Sequence, residues 1–175
     1  MTIYTIGHST RTLDELIALL KAHEIELLVD IRSFPMSRRL PHFNREALQK
    51  ELQDAGIEYL WMKELGGRRG KILQESPNVA LRNDSFRNYA DYMLTPQFQQ
   101  AIAGLLKQAA AKRVAIMCAE ALYFRCHRML VSDYLSANGH EVLHIMDKKA
   151  PRPHTLMAEA RLDEGRLIYR GDRIF

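Results

Sequence analysis

The chain predicts an α/β fold: a mainly parallel five-stranded sheet with helices on both faces and a C-terminal β-hairpin, forming one domain over residues 1–175. Short apolar runs alternate with segments of helical period from Thr2 to Met146, as in chains built from strand–helix–strand units. The run Ile25 to Ile31, almost unbroken at Leu27-Leu28-Val29, suits a strand covered on both faces, as parallel strands usually are. Polar and glycine residues gather directly after several of these runs, where the carboxyl ends of parallel strands share one edge.

Thr2 to Ile6 reads as the first strand. Thr12 and Glu15 have capping-box spacing, with Leu13, Leu16, Ile17 and Leu20 following on one helical face. After Ile25 to Ile31, Asn44 is placed to cap a second helix, with Phe43 stapled against Leu48 and Gly56 ending it before the strand Ile57 to Trp61. Ser85 opens a helix carrying Phe86, Tyr89 and Met93. Thr95-Pro96 opens the next, with proline at the first helical position and Phe98, Ile102, Leu105 and Leu106 facing inward. Val114 to Met117 is the fourth strand, and Met129, Leu130, Val131, Tyr134 and Leu135 mark the helix after it, closed by Gly139. Glu141 to Met146 is the fifth strand. Ala158 to Leu162 and Leu167 to Tyr169 flank Asp163-Glu164-Gly165 as a hairpin. Gly66 to Asp84 has no clear period, the mark of a binding loop or lid.

Composition limits the function. With 47% hydrophobic and 26% charged residues the chain is an ordinary globular one, and no apolar run approaches the roughly 20 residues that span a bilayer. A membrane partner is therefore not expected. The N-terminus lacks a basic region leading into an apolar stretch, so the expectation is cytoplasmic residence with both cysteines reduced. A net charge of +4 favours anionic partners, and basic residues cluster at Arg32, Arg38-Arg39, Arg68-Arg69 with Lys71, and Lys148-Lys149 with Arg152.

The chemistry gathers at the strand ends: Gly7-His8-Ser9, Asp30 with Arg32, Gly66-Gly67, Cys118 with Glu120, and His144 with Asp147. Singly, Gly7, His8 and Ser9 also fit a tight, hydrogen-bonded turn. Asp30 and Arg32 equally fit an ion pair, because a buried acid is costly unless used or paired. Between Arg32 and Phe43, Arg38, Arg39 and Ser37 suit a phosphate, and His42 or Phe43 offers a ring for a base, although Phe43 also fits the helix staple. Gly66-Gly67-Arg68-Arg69-Gly70-Lys71 lacks the full spacing of a phosphate-binding loop.

Cys118-Ala119-Glu120 and Arg125-Cys126-His127-Arg128 form the densest cluster. A thiol at a strand end before an arginine at a helix start resembles sites that hold an anion beside a thiolate, but the loop has no glycine and Glu120 would repel a phosphate. A zinc site through Cys118, Cys126, His127 and His144 is disfavoured, since there is no paired Cys-x-x-Cys and adjacent ligands reach one ion poorly. Glu120 among Leu122, Tyr123 and Phe124 is the preferred acid/base group, because an apolar setting would raise its pKa.

Thr5-Ile6-Gly7-His8-Ser9, Asp30-Ile31-Arg32 with Pro35, Ser37 and Arg38, Leu65-Gly66-Gly67, Cys118-Ala119-Glu120 and Cys126-His127-Arg128 together resemble domain-of-unknown-function family 488. Pro41-His42-Phe43-Asn44, Phe86 with Tyr89, and Tyr123-Phe124 resemble a common subgroup of it. The resemblance implies a compact, bacterial-type cytosolic α/β protein whose polar motifs belong together, and implies no substrate or cofactor.

The leading expectation is a small enzyme, a hydrolase or lyase, acting on a phosphate-bearing nucleotide or nucleic acid at the carboxyl edge of the sheet. Glu120, Asp30, His8 and Cys118 are its candidate catalytic residues. Ser9, Arg32, Arg38, Arg125, His127 and Arg128 are its candidate anion-binding residues. No cofactor is expected, and the partner is an anionic small molecule or nucleic acid. Two alternatives remain open: a nucleic-acid or nucleotide binding module without chemistry, and a cysteine-dependent redox or sulfur-transfer protein.

Overall fold

The computed structural model describes residues 1–171. Strands β1 (Thr2–Gly7), β2 (Leu27–Asp30), β3 (Glu58–Trp61), β4 (Val114–Cys118) and β5 (Glu141–His144) run parallel. A short edge strand β6 (Arg152–Pro153) pairs antiparallel with β5, giving the order β3-β2-β4-β1-β5-β6. The sequence did not signal β6, because two residues carry no period and proline is confined to sheet edges.

Helices α1 (Leu13–Ala22) and α2 (Arg45–Asp54) cover one face, with Leu16, Leu20, Leu48 and Leu52 packed on Ile6, Leu28 and Met117. On the other face α3 (Asp84–Tyr92), α4 (Pro96–Ala111) and α5 (Arg128–Ala137) bring Tyr89, Phe98, Leu105 and Leu130 against Ile3, Val29 and Ile116. Hairpin strands β7 (Ala160–Asp163) and β8 (Arg166–Tyr169) close over this second layer through Leu167 and Tyr169. Their two-residue turn has Glu164 at φ 49° and Gly165 at φ 81°, the paired positive angles of a type I′ hairpin.

The capping box forms: Thr12 Oγ1 accepts from Glu15 N–H at 3.1 Å, and Glu15 accepts from Thr12 N–H at 2.9 Å. Two expected caps differ. Asn44 precedes α2, yet its Oδ1 accepts the Ser37 N–H at 2.6 Å and pins the preceding loop instead of the helix. Asn83, not Ser85, caps α3, since its extended backbone aims Oδ1 at the Phe86 N–H.

Parallel pairing brings the strand ends together. Gly7 lies opposite Cys118 and Thr5 opposite His144, so the chain after β4 passes directly over the end of β1. The His8 and Ser9 N–H groups donate to the carbonyls of Cys118 and Ala119 at 3.0 and 2.9 Å. A Cβ on Gly7 would sit 1.7 Å from the Glu120 carbonyl oxygen, so only glycine admits this crossing. Gly7→Ala is expected to lower the unfolding free energy by about 3 kcal/mol or more, the cost of overpacking against backbone. Gly165→Ala should cost only about 1–2 kcal/mol, for a left-handed residue in open space. Denaturant unfolding of the two variants checks this ranking.

Candidate functional site

Strand β4 delivers Cys118 to the sheet edge, and a 3-10 turn at Tyr123–Arg125 folds the chain back so that Cys126 meets it. The two Sγ atoms are 2.8 Å apart. Between them and β1 lies the Arg128 side chain, which has no exposure to solvent. Its Nε donates to Cys118 Sγ at 3.0 Å and its Nη1 to Thr5 Oγ1 at 3.1 Å. Its Nη2 donates to the Glu120 and Ala121 carbonyls at 2.6 and 3.3 Å, while its backbone N–H points at Cys126 Sγ at 3.4 Å.

Among the described ion pairs, none gives Arg128 a carboxylate. A guanidinium keeps its proton in proteins, and a buried charge is costly without a countercharge. Among the described groups in contact with Arg128, the sulfurs are the ones able to supply it. The hydrogen bond from Cys118 pulls the Cys126 thiol far below its ordinary range, with His127 and Arg128 reinforcing the effect. Burial pushes Cys118 up, as does its hydrogen bond to Cys126. The pair thus favours one shared negative charge, resting on Cys126.

A second cluster forms at the end of β2. Arg32 grips Asp30 with Nε at 2.9 Å and Nη2 at 2.7 Å, and also donates to the Phe43 carbonyl at 2.8 Å. Asp30, fully buried, receives the Arg32 N–H at 3.1 Å and the Tyr59 hydroxyl at 2.5 Å as well. His8 donates from Nδ1 to the Ser9 carbonyl at 2.9 Å, which leaves Nε2 as acceptor facing Arg32 Nη1 at 3.4 Å. Its ring lies 4.3 Å from that of Phe43. Burial, with Arg32 adding to it, lowers the His8 pKa to about 4, so the ring is neutral at pH 7.

This geometry redistributes the expected roles. Glu120 is exposed, not enclosed by Leu122, Tyr123 and Phe124, because the turn directs its carbonyl inward and leaves the carboxylate in solvent. Asp30 is saturated with donors. Arg32 and Arg128 spend their donors on protein acceptors, leaving little for an external phosphate. His127 ties the start of α5 to β2 by donating from Nε2 to the Ile31 carbonyl at 2.8 Å. Gly66 and Gly67 are required by close packing against Ser33 and His127. Arg38 and Arg125 are exposed, and Ser9 is half-buried in a left-handed conformation at φ 49°.

Thr5, Asp133, His154 and Tyr169 at this edge carry no role in the sequence reading. Thr5 links Arg128 to His144 Nδ1 at 2.6 Å, and His144 meets His154 at 2.9 Å. His154 in turn bonds Asp133 at 2.7 Å, and Asp133 accepts the Tyr169 hydroxyl at 2.8 Å. Tyr123 stacks flat on His144, with ring centroids 3.6 Å apart. The sequence offered one signal: Ser132-Asp133 interrupts the apolar face of α5, and both residues are fully buried. Two clefts lie elsewhere. One of about 480 Å³ is lined by Lys71, Ser76, Arg87 and Asp91, and one of about 280 Å³ by Ser33, Lys63, Arg68 and Arg69. No described helix is long and apolar enough to cross a membrane.

Comparison with protein families finds a match over most of the chain. The model described as "Domain of unknown function DUF488" covers residues 12–135. No curated protein and no solved structure matches the chain.

His8 and His144 make stability depend on acid. Burial lowers His144 to about 3, with His154, Arg128 and Arg152 adding to it. Between pH 6.5 and about 4 the unfolded chain protonates both rings while the folded one protonates neither, so stability falls as pH falls. His8→Asn should make the slope of unfolding free energy against pH shallower by about one proton, roughly 1.4 kcal/mol per pH unit, within this window. Urea titrations from pH 4 to 7 measure it.

Proposed function

We propose that this chain, which belongs to the DUF488 family, is a thiol-dependent redox or sulfur-exchange protein in which Cys126 is the attacking group and Cys118 the resolving one. The observation that carries this reading is the contact of the two sulfurs at 2.8 Å beside a buried guanidinium that has no carboxylate among the described residues. A thiolate attacks a disulfide through a mixed-disulfide intermediate, and an adjacent cation and helix N-terminus favour that thiolate. Cys126 is half-buried and precedes α5, so it is the member open to a substrate.

The exchange balances as follows. Cys126 Sγ attacks one sulfur of a disulfide substrate, forms a mixed disulfide and expels the other sulfur as a thiolate. That thiolate takes the Cys118 proton. Cys118 Sγ then attacks Cys126 Sγ, closing the intramolecular disulfide and releasing the second substrate sulfur. The substrate is reduced by two electrons and the protein oxidised by two, and an external dithiol restores the protein by the reverse steps. In the reduced protein Arg128 lies beside the thiolate and holds it in place, while exposed Arg125 beside Cys126 suits a substrate carrying a carboxylate or phosphate.

In this reading Cys126 alkylates with a pH midpoint well below the free-thiol value of about 8.5, and Cys118→Ala raises that midpoint by removing the hydrogen bond between the sulfurs. An added disulfide should yield a protein species lacking two hydrogens by intact mass, and Cys126→Ala should abolish it. Thiols that stay unmodified near neutral pH would sink the proposal.

A second reading keeps one supporting observation. The cleft of about 280 Å³ carries Lys63, Arg68, Arg69 and Ser33 near the end of β2, a setting for a phosphate-bearing ligand. The carboxylate lining this cleft is Glu64, and it would be the acid/base group there, since Asp30 is saturated. Binding of a single-stranded oligonucleotide should then weaken steeply between 50 and 200 mM salt, and further in Arg68→Glu. Salt-insensitive or absent binding, followed by fluorescence anisotropy, counts against it.

A further inference from the structure

The buried side chains beyond Arg128 form a chain with a single direction. Asp133, as a carboxylate, only accepts: from His154 Nε2–H at 2.7 Å, the Met157 N–H at 3.2 Å and the Tyr169 hydroxyl at 2.8 Å. His154 Nδ1 is thereby left as an acceptor, filled by His144 Nε2–H at 2.9 Å. His144 Nδ1 in turn accepts the Thr5 hydroxyl at 2.6 Å, and Thr5 Oγ1, its proton committed, presents a lone pair to Arg128 Nη1 at 3.1 Å. Thr5, His144, Asp133 and Arg128 have no exposure, and the His154 side chain has 1%.

We propose that Asp133, His154, His144 and Thr5 are positioning residues that orient Arg128 against the Cys118–Cys126 pair, so that a carboxylate under the C-terminal hairpin sets how much thiolate the pair holds. The proposal deepens the thiol reading and rests on it for its consequence at sulfur. A core filled with apolar side chains would be cheaper than these desolvated groups. What the chain adds is direction: each proton is assigned by the next acceptor, and the last free lone pair meets the guanidinium. Tyr123, flat on His144, holds that ring in the line. The charged groups facing His144 are Arg128 from α5, Arg152 from β6 and the Asp133–His154 pair. Thr5, His144, His154 and Tyr169 all lie outside residues 12–135, so segments flanking the matched region complete the site.

The test uses the full chain with two readouts: solvent exchange of the Arg128 Nε–H, followed in ¹⁵N-labelled protein, and the pH midpoint of Cys126 alkylation. Thr5→Val keeps the side-chain shape and removes the oxygen. It should speed Nε–H exchange about tenfold and raise the midpoint by about one pH unit. Thr5→Ser should restore both. Should Thr5→Val not fold, Asp133→Asn reports the same quantities from the far end, with shifts in the same direction. Unchanged exchange and an unchanged midpoint in a folded variant overturn the proposal. Changed exchange, in a protein whose wild-type thiols titrate as ordinary ones, removes the thiol reading and leaves the positioning chain standing.

Discussion

A guanidinium that cannot lose its proton lies closed inside the edge of the sheet, and the groups around it are arranged by that fact. The Arg128 Nη2 draws in the carbonyls of Glu120 and Ala121, which fixes the path of the chain after β4 across the end of β1. That path leaves no room for a side chain on Gly7. Nη1 requires an acceptor within a parallel strand whose backbone is fully paired, and the Thr5 hydroxyl provides it. Nε is left facing sulfur. A buried cation of this kind is tolerated only where every proton is matched and a negative partner is near. The thiol pair, which Nε meets, therefore bears on the stability of the edge.

The neighbouring cluster at the end of β2 solves the same problem differently. Arg32 is also buried, but Asp30 meets it two-pronged, and Tyr59 and a backbone N–H fill the remaining carboxylate sites. Such a pair is neutral overall and leaves no charge for a reaction. It serves to hold His8 and Phe43 in place against α2. Two arginines at this edge thus differ: Arg32 is met by a carboxylate within its cluster, while Arg128 meets sulfur and, among the described residues, no carboxylate.

Much of the architecture was legible in the residues. Alternating apolar runs located the five parallel strands, and Thr12 with Glu15, Thr95-Pro96 and Glu164-Gly165 marked a helix start, another helix start and a hairpin turn. Those signals are local, and their physics lies in a few adjacent residues. The site was legible only as an address. That Cys118, Glu120 and Arg128 share one edge followed from strand order, but which atom of each enters it depends on the loop path. Glu120 contributes its carbonyl and not its carboxylate, a choice set by Gly7 on another strand. The meeting of Cys118 with Cys126 follows from a 3-10 turn with no sequence period. Thr5 lies most of the chain away from Asp133 and His154, and a lone polar residue in an apolar strand or helix does not announce its partner.

In the proposed thiol reading, the lack of a carboxylate at Arg128 among the described residues bears on the direction in which the sulfurs would exchange electrons. In the dithiol form one sulfur carries the charge that balances the guanidinium. Closing a disulfide removes that charge and leaves the cation surrounded by neutral oxygens and sulfurs. On that reading the reduced form would be stabilised over the oxidised one, which raises the reduction potential and makes the disulfide the more reactive, electron-accepting state. In that reading, a sheet edge built around an arginine with no acid partner among the described residues would hold its disulfide under electrostatic tension, which favours the return step in which an external dithiol reduces it.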